Sequence, residues 1–146
     1  MTTKLEHLFV YGTLRDDNAR HKPSFLDREG SFVCNSFTAD DLVLMETTGF
    51  PVAFKVWKGN KELPVYGELW EIPPELLKAT DRIEAEGFMY KKERMKIISV
   101  DEQETFEAWM YLGLPRFWYN HNELLLAPIA NDQYYNWVRH PMKKVG

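Results

Sequence analysis

Glu84 is the residue of this sequence best placed to move a proton. Between Pro74 and Glu86 the residues follow the period of a helix, in which each position advances about 100°. On that wheel Leu76, Leu77, Ala79, Thr80 and Ile83 share one face, and Glu75, Lys78, Asp81, Arg82 and Glu86 take the other. Glu84 breaks the division, because it points the same way as Leu77, one heptad earlier. A carboxylate on an apolar face must pair with a buried cation, accept hydrogen bonds or line a cavity. Desolvation raises its pKa toward the range where one group both takes and returns a proton. The competing reading is a frayed helix end that lets Glu84 reach water near Gly87. The wheel leaves both open.

A second feature is the run Leu8-Phe9-Val10-Tyr11-Gly12-Thr13-Leu14. Glycine directly after an aromatic strand lets the backbone come close to a ligand. Successive amide N–H groups in such a turn can form a concave anion site. A plain structural turn is the commoner cause of the same pattern. Gly49-Phe50-Pro51 reads locally as another turn, leading into a strand at Val52. In Phe106 to Tyr111, alternation sets Trp109 and Tyr111 opposite Phe106, Ala108 and Met110, and packing explains either face.

Other chemistries lack their residues. His7, His21, His121 and His140 show no metal-ligand spacing and are expected on the surface or in loops. Walker loops, dinucleotide fingerprints and serine elbows are absent, so neither metal nor cofactor is expected. Cys34 is the single cysteine, which precludes an intramolecular disulfide, and it reads as a small buried hydrophobe.

These residues need a scaffold. Leu5 to Tyr11, Phe32-Val33 and Leu42 to Met45 are predicted strands, with residues 16–31 a polar loop or short helix between the first two. Val52, Phe54 and Val56 alternate with Ala53, Lys55 and Trp57, as in a half-buried strand. A turn at Gly59-Asn60-Lys61 then returns the chain as a strand from Val65 to Trp70. The helix opens at Pro73-Pro74-Glu75 and runs to about Glu86, stopped by Gly87. Tyr90 to Val100 and Thr105 to Leu112 are two more strands joined at Asp101-Glu102. Residues 113–132 read as irregular, and Gln133 to Arg139 as a last helical turn. Strands outnumber helices, which predicts an α+β fold built on a mostly antiparallel, barrel-like β-sheet.

The 146 residues suit one domain, spanning 1–146. The chain is 45% hydrophobic and 14% aromatic, which favours a packed core over disorder. Its net charge of −4 and scattered basic residues argue against a nucleic-acid partner. The start of the chain lacks the pattern of a signal peptide, and no apolar run is long enough to span a bilayer. A soluble cytoplasmic protein, monomer or homodimer, is expected.

Together the pieces resemble the γ-glutamylcyclotransferase family, which includes AIG2-like proteins and γ-glutamylamine cyclotransferases. The family pattern of a strand into Tyr-Gly-Thr/Ser-Leu is matched by Tyr11-Gly12-Thr13-Leu14. Gly-Phe-Pro is matched by Gly49-Phe50-Pro51, and Val-x-Gly-Glu-Leu by Val65-Tyr66-Gly67-Glu68-Leu69. Leu-Asp-x-x-Glu-Gly followed by Tyr-x-Arg corresponds to Thr80-Asp81-Arg82-Ile83-Glu84-Ala85 and Tyr90-Lys91-Lys92. Ala-x-x-Tyr corresponds to Ala108 through Tyr111. Thr80, Ala85 and Lys92 depart from the pattern, and the match weakens after Leu112. The resemblance implies a small γ-glutamyl substrate that closes on its own α-amine to release 5-oxoproline, without a cofactor. It implies Glu84 as general base and acid. Tyr11, Gly12, Thr13, Leu14, Phe50, Tyr90 and Tyr111 are the substrate-binding residues it implies. The alternative is a non-catalytic protein that holds a small ligand on the same fold.

Overall fold

A computed structural model describes residues 4–12, 14, 26, 29–47, 49–101, 104–126 and 133–137. In chain order these form β1 (Glu6–Val10), β2 (Ser31–Thr38), β3 (Val43–Glu46), β4 (Pro51–Phe54), β5 (Tyr66–Ile72), α1 (Pro74–Ile83), β6 (Tyr90–Ser99), β7 (Thr105–Gly113) and α2 (Pro115–Asn120). Five strands close into a barrel in the order β1-β5-β2-β6-β7. Neighbours run antiparallel except at the closure, where β1 meets β7 in parallel at Leu8 and Trp109. The expected α+β barrel is therefore the observed fold.

Strand alternation divides the apolar residues into two clusters. Phe9, Leu69, Met95, Ile97, Ala108 and Met110 come from four barrel strands and pack together. Leu8, Val10, Trp70 and Ile72 sit at the intervening positions of β1 and β5 and join a second cluster. Leu76 and Leu77 of α1, Val52 and Phe54 of β4, and Trp118 of α2 complete it. The second cluster holds α1, α2 and the β3–β4 ribbon against the barrel wall. Burying each Leu, Val or Phe contributes about 1.5–3 kcal/mol.

Several local expectations failed. The strand at Val52 does not form a hairpin with β5. It pairs with β3, from Glu46–Pro51 to Val43–Phe54, while β5 lies between β1 and β2. Its expected half-burial is also wrong. All four residues of β4 are buried, because Val52 and Phe54 enter one cluster and Ala53 the other. Val56 is exposed. Residues 115–120 form α2 instead of an irregular segment, with Pro115 at its start and the Trp118 side chain fully buried. Of the expected helical turn from Gln133, residues 133–137 are not helical, and 138–139 lie outside the described residues. Tyr135 bridges Val65 in parallel and is buried. Cys34 is half-buried, with Sγ 3.4 Å from the Ser36 hydroxyl. His7 belongs to β1, beside Glu71, and is no loop residue, whereas His121 follows α2. His21, His140 and most of the stretch 16–31 lie outside the described residues. Among the described residues, no helix is long and apolar enough to cross a membrane.

Candidate active site

The helix that carries Glu84 ends sooner than its periodicity predicts. α1 stops at Ile83, and Glu84 is its C-cap with φ −87° and ψ 3°. Ala85 then adopts a left-handed φ of 49°. The Ala85 N–H donates to the Arg82 carbonyl, and the Glu86 N–H to the Asp81 carbonyl. This pair of bonds with a left-handed residue between is the Schellman closure of a helix. Ile83, assigned to the apolar face by the wheel, is 53% exposed because the chain turns there. The frayed end is thus replaced by a closed turn, and Glu84 is half-buried.

Glu84 borders a small cavity, open to solvent at its mouth, that also meets Phe9, Val10, Tyr11, Gly12, Leu14, Phe50, Pro51, Tyr90 and Tyr111. Among the described residues, no hydrogen bond or ion pair reaches the Glu84 carboxylate. Burial raises its pKa from 4.5 to about 7. Burial likewise raises the pKa of Tyr11, Tyr90 and Tyr111, so all three stay neutral.

The tyrosine hydroxyls are engaged by the protein. Tyr11 donates to the Tyr111 carbonyl at 2.5 Å and accepts from the Ala53 N–H at 3.2 Å. Tyr90 donates to the Pro51 carbonyl at 3.1 Å. Tyr111 donates to Asp81 Oδ1 at 2.5 Å. These bonds lock β1, β4, β6, β7 and α1 around one space, and the rings form a fixed wall. Gly12 serves the same closure. A Cβ there would stand 2.9 Å from the Pro51 ring, so the glycine admits β4 to the cavity wall. Phe50 packs edge-on against Trp118, at 6.2 Å between ring centroids.

Of the residues expected from sequence, the cavity brings together Glu84, Tyr11, Gly12, Leu14, Phe50, Tyr90 and Tyr111. Thr13 lies outside the described residues. Among the described residues, no cluster of three or more His, Cys, Asp or Glu could hold a metal.

The family described as "Gamma-glutamyl cyclotransferase, AIG2-like" matches residues 8–136. The chain belongs to this family. A Methanocaldococcus jannaschii protein, provisionally named a gamma-glutamylcyclotransferase, is 26% identical over 107 residues, covering 73% of this chain and 83% of that protein. A Drosophila melanogaster protein with the same provisional name is 25% identical over 107 residues, covering 72% and 68%. The crystal structure of a Mus musculus AIG2-like protein shares the fold, with a TM-score of 0.64, 19% identity and coverage of 94% and 99%.

The three positions where this γ-glutamyl cyclotransferase family member departs from the sequence pattern cluster at the end of α1. Ala85 occupies the left-handed residue, where glycine is preferred. Lys92 Nζ lies 3.0 Å from Asp81 Oδ2. Thr80 is fully buried, and its hydroxyl is 2.8 Å from both the Tyr111 hydroxyl and the Leu77 carbonyl. Sequence reasoning missed this cluster of Thr80, Asp81 and Lys92. It placed Asp81 on the solvent face of the helix and Thr80 among the packing residues. A threonine on the apolar face beside an aspartate, near the end of a helix, was the available signal.

Proposed function

We propose that the chain is a γ-glutamyl cyclotransferase, converting a γ-glutamyl amine or γ-glutamyl amino acid to 5-oxoproline and a free amine. The observation that carries this reading is Glu84, an unpaired half-buried carboxylate on a cavity with its pKa raised to about 7. The provisional names of the Methanocaldococcus and Drosophila relatives support the same reaction.

In the proposed reaction the substrate's α-ammonium first loses a proton to Glu84. The freed amine attacks the γ-carbonyl carbon and closes a five-membered ring. The γ-amide C–N bond then breaks, and Glu84 returns its proton to the departing nitrogen. The second proton of the ring nitrogen follows to the released amine, which ends as an ammonium ion. A carboxyl that titrates near neutrality suits both transfers. The turn from Tyr11 to Leu14, with Phe50, Tyr90 and Tyr111 as walls, would keep the substrate folded for attack. Such orientation removes much of the entropic barrier to ring closure.

Purified protein supplied with a panel of γ-glutamyl amines and γ-glutamyl amino acids should release 5-oxoproline. Absence of product across the panel, with saturable binding of the same compounds, would identify a ligand-binding protein instead.

A further inference from the structure

Among the described residues, three polar side-chain contacts tie α1 to the barrel, and all converge on the turn that precedes Glu84. Tyr111 of β7 donates to Asp81 Oδ1 at 2.5 Å. Lys92 of β6 donates to Asp81 Oδ2 at 3.0 Å. The Thr80 and Tyr111 hydroxyl oxygens are 2.8 Å apart. Proton counting orders these contacts. An ionised carboxylate only accepts, so the Tyr111 proton goes to Asp81. Tyr111 oxygen then accepts from Thr80, whose single hydroxyl proton is shared with the Leu77 carbonyl. The chain runs from Thr80 through Tyr111 to Asp81, and Lys92 closes it from the other side. Thr80 is fully buried and Tyr111 nearly so, which strengthens these bonds relative to water.

The chain also reaches Glu84 along the backbone. The Glu84 N–H donates to the Thr80 carbonyl at 2.9 Å, and Asp81 accepts the Glu86 N–H that closes the helix. Tyr111 itself lines the cavity. We infer that Thr80, Tyr111, Asp81 and Lys92 act as one positioning clamp, which holds the last turn of α1 against β6 and β7 and so keeps Glu84 in the cavity. None of the four is asked to exchange a proton with substrate. The functional consequence rests on the proposed role of Glu84, whereas the clamp itself does not depend on the substrate.

The test follows the Glu84 carboxyl by NMR across a pH titration, alongside steady-state 5-oxoproline release. Among the described residues, the titratable groups coupled to Glu84 are Tyr11 from the end of β1, Tyr90 from β6 and Tyr111 from β7. Asp81 and Lys92 are the charged groups of the clamp. Tyr111→Phe removes one hydroxyl and keeps the ring. It should admit water to the turn and lower the Glu84 titration midpoint by about one unit. It should also reduce kcat about 10- to 100-fold with little change in KM. Lys92→Met should move both readouts in the same direction, and Lys92→Arg should restore them. Thr80→Val should behave as a weaker Tyr111→Phe, and the double variant should be no worse than Tyr111→Phe alone. If Tyr111→Phe fails to fold, Thr80→Val carries the same comparison. A native titration midpoint and native kcat in Tyr111→Phe, or strict additivity with Thr80→Val, would overturn the clamp. A native protein that makes no 5-oxoproline while its Glu84 midpoint still falls in Tyr111→Phe would leave the clamp standing and remove the cyclotransferase reading.

Discussion

Asp81 and Glu84 are carboxylates within one turn of each other, yet they meet opposite fates. Asp81 is held by Tyr111 at one oxygen and Lys92 at the other. Glu84 has neither a cation nor a donor among the described residues, and burial lifts it to about 7. The sites differ in what the barrel brings to them. β6 and β7 deliver a cation and a hydroxyl to Asp81, whereas Glu84 faces tyrosines whose protons are spent elsewhere. A partnered carboxylate stabilises the fold, and an unpartnered one costs stability but gains proton affinity near neutral pH. The comparison separates a structural acid from a candidate chemical one without reference to the family.

Substituting each carboxylate should break this contrast in opposite directions. The largest effect is expected for Glu84→Gln, which keeps the shape and removes the titrating proton. 5-Oxoproline release should fall about 10³-fold, with the folded structure retained by circular dichroism. Full turnover in this variant would remove Glu84 from the mechanism. In the native protein, kcat/KM should rise with pH through an inflection near 7, because the carboxylate is the form that accepts the substrate's proton.

Stability should show the same residue with the reverse sign. The folded Glu84 carboxyl titrates near 7, above its ordinary 4.5. Its contribution is therefore full below the lower value and is lost as pH rises through the higher one. Glu84→Gln does not titrate. It should match the native protein at about pH 4 and exceed it by up to about 3 kcal/mol at about pH 8, measured by urea denaturation. Asp81→Ala should instead destabilise at neutral pH by about 1–3 kcal/mol, since it strands the Tyr111 hydroxyl and Lys92. If both variants shift stability the same way, the two carboxylates are not distinct in kind. The smallest effect is expected at the turn they share. Ala85→Gly relieves the left-handed φ of 49° and should add about 1 kcal/mol. A loss of stability there would show that the alanine side chain is needed for packing.

Sequence alone marked many of the residues that line the candidate site, because its signals are local. The helical wheel singled out Glu84, and the aromatic strand ending at Gly12 marked the opposite wall. Strands β1, β6 and β7 were legible from composition and alternation within one segment. The family pattern supplied Phe50, Tyr90 and Tyr111 as candidate site residues, whose local patterns suggested only a turn, a strand and packing. What tertiary structure decided was set by residues far apart in the chain. Barrel closure placed β5 between β1 and β2 and left β4 to β3, against the adjacency suggested by the turn at Gly59. Burial of Trp118 organised α2 where the sequence looked irregular. The helix ended at Ile83 because Ala85 turned left-handed, which no wheel can register. The clamp on Asp81 joins β6, β7 and α1, and Tyr111 lies 30 residues beyond its partner. Local periodicity records which face of an element is apolar. It carries no information about which distant side chains that face will meet, so it could mark Glu84 as unusual but could not show that Asp81 would be paired and Glu84 left unpaired.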